Sequence, residues 1–254
     1  MFFLSRHCLE KTGNSPRFLL TVRAYFWYNY VMEITYLGHS CFKLRGKQAT
    51  IITDPYGPEA GYNLGKATSN IVTVSHTHTD HSFVGGVSGE PRVISRPGEY
   101  EVGGVLIIGL PTFHDNEKGA KRGKNTVYAM EIDELSICHL GDLGHPLPDT
   151  QLEEIGRVDI LMVPVGGIYT IGAQSAAALV RQMDPRIVLP MHYRTPASGY
   201  QDLDTVQTFL HEMGIHEATP QPKLNVNKNN LPILMQVTLL EYPGYKAEAN
   251  KPAE

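Results

Sequence analysis

The chain has 254 residues, and 42% of them are hydrophobic, which is enough for one large domain or two small ones with a full core. Its net charge of −4 and its pI of about 6.3 give no overall basic surface, so we expect a small-molecule partner and no nucleic acid. No apolar stretch reaches the ~18 residues that a membrane span needs, so no membrane association is expected.

Residues 1–31 come first, and charged side chains interrupt their apolar start at once. They contain no continuous apolar core and no small-residue cleavage site, so they do not form a secretory signal. A clean strand pattern begins directly after Met32, which indicates that 1–31 are an N-terminal extension outside the core. The aromatic run at 25–30 leaves an interaction surface, and with it a homo-oligomer, as an open alternative. The predicted domain covers 32–242, and a loose tail follows at 243–254.

Most of the first half of the domain consists of short apolar, β-branched runs separated by turns, which predict strands. These predicted strands span 33–37, 41–44, 50–53, 71–75, 92–95, 100–102 and 105–110, followed by a hairpin of 126–132 and 135–140. One short helical turn is predicted at 82–87, where glycine-rich sequence follows.

In the second half, helical patterns alternate with strand patterns. The predicted helices span 151–155, 173–183 and 203–213, and the predicted strands span 158–163 and 187–189. Polar residues at 219–230 predict a loop, and 231–240 predict a last strand. The whole order predicts a mixed α/β sandwich rather than a doubly wound parallel sheet, and no glycine-rich phosphate loop follows any strand.

The cysteines are Cys8, Cys41 and Cys138, and no C-x-x-C pair is present. Three isolated cysteines do not build a disulfide framework, so we expect a reducing, cytoplasmic location. Cys41 and Cys138 lie inside strand-like runs and are expected to be buried as small hydrophobic residues.

The stretch 75–81 reads S-H-T-H-T-D-H and follows a predicted buried strand. Side chains two residues apart share one face of an extended segment, so His76 and His78 can contact one ion. A helix that starts near Asp80 would turn Asp80 and His81 toward a second ion. Imidazole and carboxylate ligands suit zinc, manganese or iron better than calcium or magnesium. A solvated polar loop is the alternative, but it does not account for the buried strand that precedes the cluster.

Three more candidate ligands follow predicted strands, namely His114, Asp142 and His192. Each of them alone would more readily be a structural histidine or a turn aspartate. In α/β proteins, however, ligands bind at the carboxyl ends of strands. The joint order of these residues after H-x-H-x-D-H therefore predicts one metal site.

This order, H-x-H-x-D-H and then a lone His, a lone Asp and a lone His, resembles the metallo-β-lactamase superfamily. The flanking sequences resemble one of its branches, the metal-dependent hydrolases related to ascorbate-6-phosphate lactonase. These flanking sequences are L-G-H-S-C-F at 37–42, I-T-D-P at 52–55, R-G-K-N-T at 122–126, H-L-G-D at 139–142 and P-V-G-G at 164–167. The resemblance covers roughly 32–240.

The resemblance implies a four-layer αββα sandwich with the site at one edge. It also implies two divalent metal ions, zinc or manganese, held by seven residues: His76, His78 and His114 for the first ion, Asp80, His81 and His192 for the second, and Asp142 as the bridge. A metal pair lowers the pKa of bound water toward ~7 and supplies a bridging hydroxide as the nucleophile. Asp80 and Asp142 would thus be catalytic, with Asp80 relaying a proton.

Four other residues are candidates for substrate contact: His39, Lys121, Arg122 and Tyr169. Lys121 and Arg122 belong to a cationic run that could recognise a phosphate or carboxylate, although such a run is more often a solvated loop. His39 and Tyr169 could equally fill a turn or pack against neighbours. Asp54 is expected to accept hydrogen bonds from ligating histidines or nearby backbone, unless it only forms an Asp-Pro turn.

These features predict a dinuclear hydrolase that cleaves a small ester, lactone or phosphoester with a phosphorylated or anionic group. Three alternatives remain open: a phosphodiesterase or nuclease on RNA or cyclic nucleotides, an iron-dependent redox enzyme of the same fold, and a metal-stabilised scaffold without turnover. The acidic pI disfavours the first alternative, and the complete second ligand set disfavours the redox enzyme. Seven His and Asp ligands for two ions leave room for water, which disfavours the scaffold.

Overall fold

The computed structural model describes residues 30–246, which form two β-sheets with helices against them. The predicted extension at 1–31 lies almost wholly outside this range, as does most of the predicted tail at 243–254. The domain limits therefore stay a prediction.

The first sheet has six strands in the spatial order β12-β1-β2-β3-β4-β5. These strands are β1 (Met32–Gly38), β2 (Cys41–Arg45), β3 (Thr50–Thr53), β4 (Ile71–Thr73), β5 (Arg92–Ile94) and β12 (Leu224–Val226). β12, β1, β2 and β3 pair antiparallel, whereas β3, β4 and β5 pair parallel.

The second sheet has seven strands in the spatial order β13-β11-β10-β9-β8-β7-β6. These strands are β6 (Gly98–Val102), β7 (Val105–Phe113), β8 (Lys124–Ile132), β9 (Leu135–His139), β10 (Ile160–Pro164), β11 (Ile187–Met191) and β13 (Gln236–Val237). β6 to β9 pair antiparallel, and β9, β10, β11 and β13 pair parallel.

The helices are short apart from α3. They are α1 (Thr79–Ser82), α2 (Asp149–Ile155), α3 (Ala173–Met183) and α4 (Val206–Glu212), with 3-10 turns at Pro58–Ala60 and Val84–Gly86. α3 buries an alanine-rich face and packs against α4 and β10. Two mixed sheets with flanking helices confirm the predicted α/β sandwich.

The burial patterns explain why these runs form strands. Alternate residues of β1 are buried, namely Met32, Ile34 and Tyr36, as expected for a strand with one face on the core. All five residues of β10 are buried, because a parallel strand in the middle of a sandwich is covered on both faces. Cys41 and Cys138 are buried free thiols, which confirms their expected packing role, whereas Cys8 lies outside the described residues.

Three predicted elements differ from the structure. The predicted loop at 219–230 is wrong, since it contains β12, a three-residue edge strand whose backbone pairs with β1 and whose Val226 is buried. The predicted strand at 231–240 is also wrong in extent. Only Gln236 and Val237 pair with β11, because Pro232 lacks a backbone donor and Ile233 points its side chain into solvent. The helical turn predicted at 82–87 is split between α1 and the second 3-10 turn.

The strand ends that carry the candidate ligands are held by unusual backbone conformations. His39, Asp54 and His192 each follow a strand and each have a positive φ, between 37° and 54°. Such φ values are uncommon for residues other than glycine, and they turn the chain sharply. The Asp54 amide donates to the Thr73 carbonyl at 2.8 Å, which fixes the end of β3 against the end of β4.

No helix within residues 30–246 has the length and apolar character needed to cross a membrane. The predicted cytoplasmic location stays a prediction.

The Tyr128 hydroxyl joins the two sheets, because it lies 3.0 Å from the Val74 carbonyl and 3.1 Å from the Ile94 carbonyl. We expect Tyr128→Phe to lower the free energy of unfolding by about 1 to 3 kcal/mol, since the Val74 carbonyl loses this donor, whereas the Ile94 carbonyl keeps the Val74 amide. The control is Tyr100→Phe, whose hydroxyl contacts the Arg96 carbonyl near the surface, and it should cost less than ~1 kcal/mol. Urea unfolding of both variants measures the difference, and equal losses would contradict this role for Tyr128.

Candidate metal centre

The H-x-H-x-D-H stretch passes from the end of β4 into α1. His78 is the N-cap of α1 and has extended backbone, so His76 and His78 project from an extended segment. Asp80 and His81 lie in the helical turn itself and therefore project in other directions. His76 and His81 are buried, whereas His78 is exposed toward solvent.

The structure brings the first predicted ligand group together. The ligand atoms of His76, His78 and His114 all lie within 4.8 Å of one another. His76 Nε2 is 3.0 Å from His78 Nδ1, and the His76 and His114 ring centroids are 4.7 Å apart. One ion can therefore contact all three imidazoles.

A second group contains His81 and His192, as the sequence predicts, together with His39. The ligand atoms of these three histidines also lie within 4.8 Å of one another. Asp80 Oδ2 lies 3.8 Å from His81 Nε2 and 3.2 Å from His39 Nε2. The sequence indicated His39 only as a candidate for substrate contact.

Asp142 lies between the two groups. Its Oδ2 is 3.3 Å from His114 Nε2, 3.2 Å from His81 Nε2 and 3.1 Å from His192 Nε2. The preceding Gly141 has a φ of 54°, and a Cβ at this position would approach Asn125 Oδ1 to 2.4 Å. Glycine is therefore required there, because the turn that presents Asp142 leaves no room for a side chain.

Asp54 supports two histidines of the site, His81 directly and His76 through Ser75. Its Oδ2 accepts hydrogen bonds from the Ser75 hydroxyl at 2.5 Å and from His81 Nδ1 at 2.9 Å. Since the Ser75 hydrogen goes to Asp54, His76 Nδ1 must donate to the Ser75 oxygen, which is 2.9 Å away. These contacts place the ring hydrogens on the Nδ1 atoms and leave lone pairs on the Nε2 atoms of His76 and His81.

The residues present fit divalent metal ions. The lone pair of His81 Nε2 points at an oxygen of Asp142, and two acceptors face each other at this distance only with a proton or a cation between them. The other oxygen of Asp142 is buried and has no hydrogen-bond partner among the described residues. Neutral imidazoles and carboxylates are the donors that zinc and manganese accept.

The pKa values of the cluster agree with this reading. Burial and the nearby His81 together lower the pKa of His76 to about 3, so His76 is neutral at pH 7. Burial opposes ionisation of Asp142, but the imidazoles of His192 and His81 hold its pKa well below the usual range. For His81, burial lowers the pKa, yet the carboxylates of Asp142 and Asp54 raise it well above its ordinary value. Without metal, a proton on His81 thus balances the buried carboxylates.

A cavity of about 550 Å³ opens onto both groups. Its wall includes His78 and His114 from the first group and Asp80 and His192 from the second. This volume is in the range of small-molecule sites.

Residues outside the ligand set also form the wall, and the largest of them are Arg122, Tyr169 and Tyr200. The Arg122 guanidinium carbon lies 5.5 Å from the centroid of the Tyr169 ring, a cation–π distance. The Tyr169 hydroxyl donates to the Asp202 carboxylate at 2.5 Å. Lys121 is not part of this wall, and its ammonium pairs with Glu117 at 2.5 Å.

Asp115 holds the loop that carries Arg122, and the sequence analysis did not select it. Its carboxylate accepts hydrogen bonds from the backbone amides of Glu117, Gly119, Lys121 and Arg122, between 2.7 and 2.9 Å. Burial opposes ionisation, but these four amides lower the pKa of Asp115 below its ordinary value. Its position directly after His114 is the only sequence signal that could have indicated it.

Tyr200 is a second residue that the sequence did not indicate. Its ring stacks on His39 with centroids 5.2 Å apart. It lies in an irregular loop after β11, where no periodicity or motif predicts which side chains point inward.

The comparisons with known proteins agree with this geometry. Residues 33–192 match the family described as the beta-lactamase superfamily domain. A UPF0173 metal-dependent hydrolase of Methanoculleus marisnigri is 31% identical over 199 residues, which are 68% of this chain and 86% of the relative. A solved structure from Thermotoga maritima, named as a Zn-dependent hydrolase of the metallo-β-lactamase superfamily, has 39% identity and a TM-score of 0.69. That alignment covers 83% of this chain and 99% of the other.

Igni18 of Ignicoccus hospitalis, named as a metallo hydrolase, aligns with a TM-score of 0.55 and 20% identity. The alignment covers 77% of this chain and 97% of Igni18, and it shows a shared fold alone. The finer resemblance to ascorbate-6-phosphate lactonase stays a prediction.

Asp142→Ala should reduce the metal content of the purified protein from about two ions per chain to about one or fewer, because the carboxylate contacts imidazoles of both groups. Mass spectrometry of protein purified without added metal measures this content. The matched control is Asp202→Ala, whose carboxylate contacts the Tyr169 hydroxyl and no ligand histidine, and it should leave the metal content unchanged. Full metal content in Asp142→Ala would refute the bridging position.

Zinc binding at pH 7 should release about one proton from His81, because its raised pKa keeps it protonated without metal and ligation needs the bare Nε2. The sign follows directly: metal affinity should increase with pH until that pKa is passed. Calorimetric titrations of zinc in buffers with different heats of ionisation measure the released proton. Identical heats in all buffers would show that His81 is already neutral before binding.

Proposed function

Because the chain belongs to the UPF0173 metal-dependent hydrolases of the metallo-β-lactamase superfamily, we propose that it holds two divalent metal ions and hydrolyses a small anionic ester, lactone or phosphoester. The observation that carries this proposal is the position of the Asp142 carboxylate, within 3.1 to 3.3 Å of imidazoles from both ligand groups. A single carboxylate between two imidazole clusters is the arrangement expected of a bridging ligand.

Zinc is the first choice of metal and manganese the second. The Thermotoga maritima structure, 39% identical to this chain, carries zinc in its name, and the His and Asp donors accept either ion. When bound, such a metal pair activates water and polarises the oxygen at the bond to be cleaved.

Asp80 is positioned to move a proton during hydrolysis. Its carboxylate lies on the cavity wall, and its Oδ2 is held 3.2 Å from His39 Nε2. Burial raises the pKa of Asp80, but the contacts with His39 and His81 outweigh burial and lower it. The carboxylate is therefore anionic at pH 7, and it accepts a proton from water rather than donating one.

Arg122 supplies the charge that selects an anionic substrate. Its guanidinium stands at the cavity wall, and the four backbone bonds to Asp115 hold its loop in place. A guanidinium can contact the two oxygens of a phosphate or carboxylate at once. Lys121 is exposed and paired with Glu117, so we assign the anion contact to Arg122 alone.

A phosphodiesterase acting on a cyclic nucleotide or RNA end is the second candidate. The observation that favours it is the pair of aromatic rings on the wall, Tyr169 and Tyr200, with centroids 6.3 Å apart. Bases stack on such side chains. The redox alternative has no comparable observation in its favour.

The test is a substrate panel of matched carboxyl esters, lactones, phosphomonoesters and phosphodiesters, each with and without an additional anionic group. Zinc-loaded and manganese-loaded proteins are assayed beside Asp142→Ala, which controls for contaminating hydrolases. We expect turnover of an anionic ester, lactone or phosphomonoester that is lost in Asp142→Ala. Preference for phosphodiesters would favour the second candidate, and turnover of no compound would contradict both.

Arg122→Ala should raise KM for the anionic substrate by about 10-fold or more while kcat changes less, because it removes a charged contact worth about 1.5 to 3 kcal/mol. Steady-state kinetics with the best substrate of the panel measures the split. Lys121→Ala removes the same charge from the same loop and should leave KM unchanged. Equal effects of the two variants would show that Arg122 acts only through the net positive charge of the loop and not through a direct contact with the substrate.

A further inference from the structure

His39 occupies a place in the structure that a simple turn residue would not need. It lies between β1 and β2, its side chain is 1% exposed, and its ring is enclosed by the second ligand group. Its Nε2 is 3.1 Å from His81 Nε2 and 3.2 Å from Asp80 Oδ2, and its ring centroid is 4.4 Å from that of His192.

We propose that His39 is a further ligand of the second metal position, in addition to Asp80, His81, Asp142 and His192. The proposal rests on the metal pair of the proposed function. It makes the two positions unequal, because the second then takes up to five protein ligands and the first takes four.

The distances between donor atoms support this assignment. Metal–ligand bonds of about 2.0 to 2.2 Å place neighbouring ligand atoms about 2.9 to 3.5 Å apart in octahedral to tetrahedral geometry. The distances from His39 to His81 and Asp80 fall in this range. So do the distances from Asp142 to His81 and His192, which are 3.2 and 3.1 Å. His39 therefore completes the same polyhedron as the predicted ligands.

The positions of the ring hydrogens also support ligation by His39. His81 gives its Nδ1 hydrogen to Asp54, so Nε2 is the atom left to bind a metal ion, and it faces His39 Nε2. Without metal, the proton on His81 Nε2 lies toward Asp142 and the hydrogen on His39 Nε2 lies toward Asp80. With metal, two lone pairs meet at the ion, and the hydrogen of His39 moves to Nδ1. The competing role is therefore a hydrogen-bond donor that orients Asp80.

The unusual backbone conformation of His39 also supports a functional role for its side chain. His39 has a φ of 54°, a conformation that glycine or asparagine adopts at lower cost. Its carbonyl accepts hydrogen bonds from the Tyr36 hydroxyl at 2.7 Å and from the His192 amide at 2.8 Å, and Tyr200 covers its ring. Strained residues of this kind persist where the surrounding structure holds them, commonly at functional sites.

His39 would bind the second ion from its buried side. His39 and His81 do not reach the cavity wall, whereas Asp80 and His192 of the same position do, as do His78 and His114 of the first group. Both metal positions therefore stay open to a substrate in the cavity.

The experiment compares the full chain with His39→Asn, His39→Gln and the control His211→Asn, which changes an exposed histidine of α4. Asparagine tolerates the positive φ of residue 39, and glutamine keeps an N–H donor that can reach Asp80. Each protein is stripped of metal and titrated with Co²⁺, with absorption spectra and metal content as readouts. We expect both His39 variants to bind one of the two ions at least about 10-fold more weakly, with an altered spectrum, and His211→Asn to match the unaltered protein.

Wild-type affinity and spectrum for both ions in His39→Asn would overturn the proposal. If His39→Gln alone recovered the wild-type affinity and spectrum, His39 would be a hydrogen-bond donor to Asp80, and this result would also overturn the proposal. If the variants do not fold, as judged by urea unfolding of the metal-free forms, nuclear magnetic resonance of the unaltered zinc-loaded protein decides. A hydrogen on Nδ1 of His39 supports ligation, and a hydrogen on Nε2 refutes it. These readouts need no substrate, so two bound ions that do not depend on His39 would remove this inference and leave the proposed hydrolase intact.

Discussion

The negative charge of Asp142 is the constraint on which the rest of the site depends. A buried carboxylate is costly unless opposite charge lies close to it, and this one is 2% exposed. The imidazoles of His81, His114 and His192 converge on one of its oxygens, while Asp54 fixes the hydrogen of His81 on the far side of the ring. The lone pair that results has to be matched by a proton or a metal ion. The cluster therefore has a built-in affinity for cations.

The fold surrounds Asp142 with these imidazoles by bringing several strand ends close together. Strands of both sheets end at the site, and the chain then turns sharply at His39, Asp54 and His192, which have positive φ. Gly141 allows the Asp142 turn to lie directly against Asn125. Such conformations cost free energy locally, and the buried strands around them supply the stability that maintains them. The sheets thus provide the stability, whereas the turns at their ends provide the functional residues.

The sequence predicted the parts of the site that depend on local order. Spacing alone brought His76 and His78 to one face, and apolar runs before His114 and His192 located strand ends. Contacts between segments that are distant in sequence could not be predicted in this way. Nothing local indicates that His39 packs against residues 42 positions away, or that Tyr200 covers it. The strand β12 was missed for a similar reason, because a three-residue strand within a polar segment is identified only by its pairing with the distant β1.

One cavity reaches both metal positions. His78 and His114 of the first group and Asp80 and His192 of the second line its wall together with Arg122, whereas His39 and His81 lie beneath the surface. The most direct test of a shared, Asp142-bridged metal pair is anomalous diffraction from crystals of the zinc-loaded protein. We expect two anomalous peaks about 3.5 to 4 Å apart, one on each side of the Asp142 carboxylate. One peak, or two peaks that Asp142 does not bridge, would contradict this arrangement.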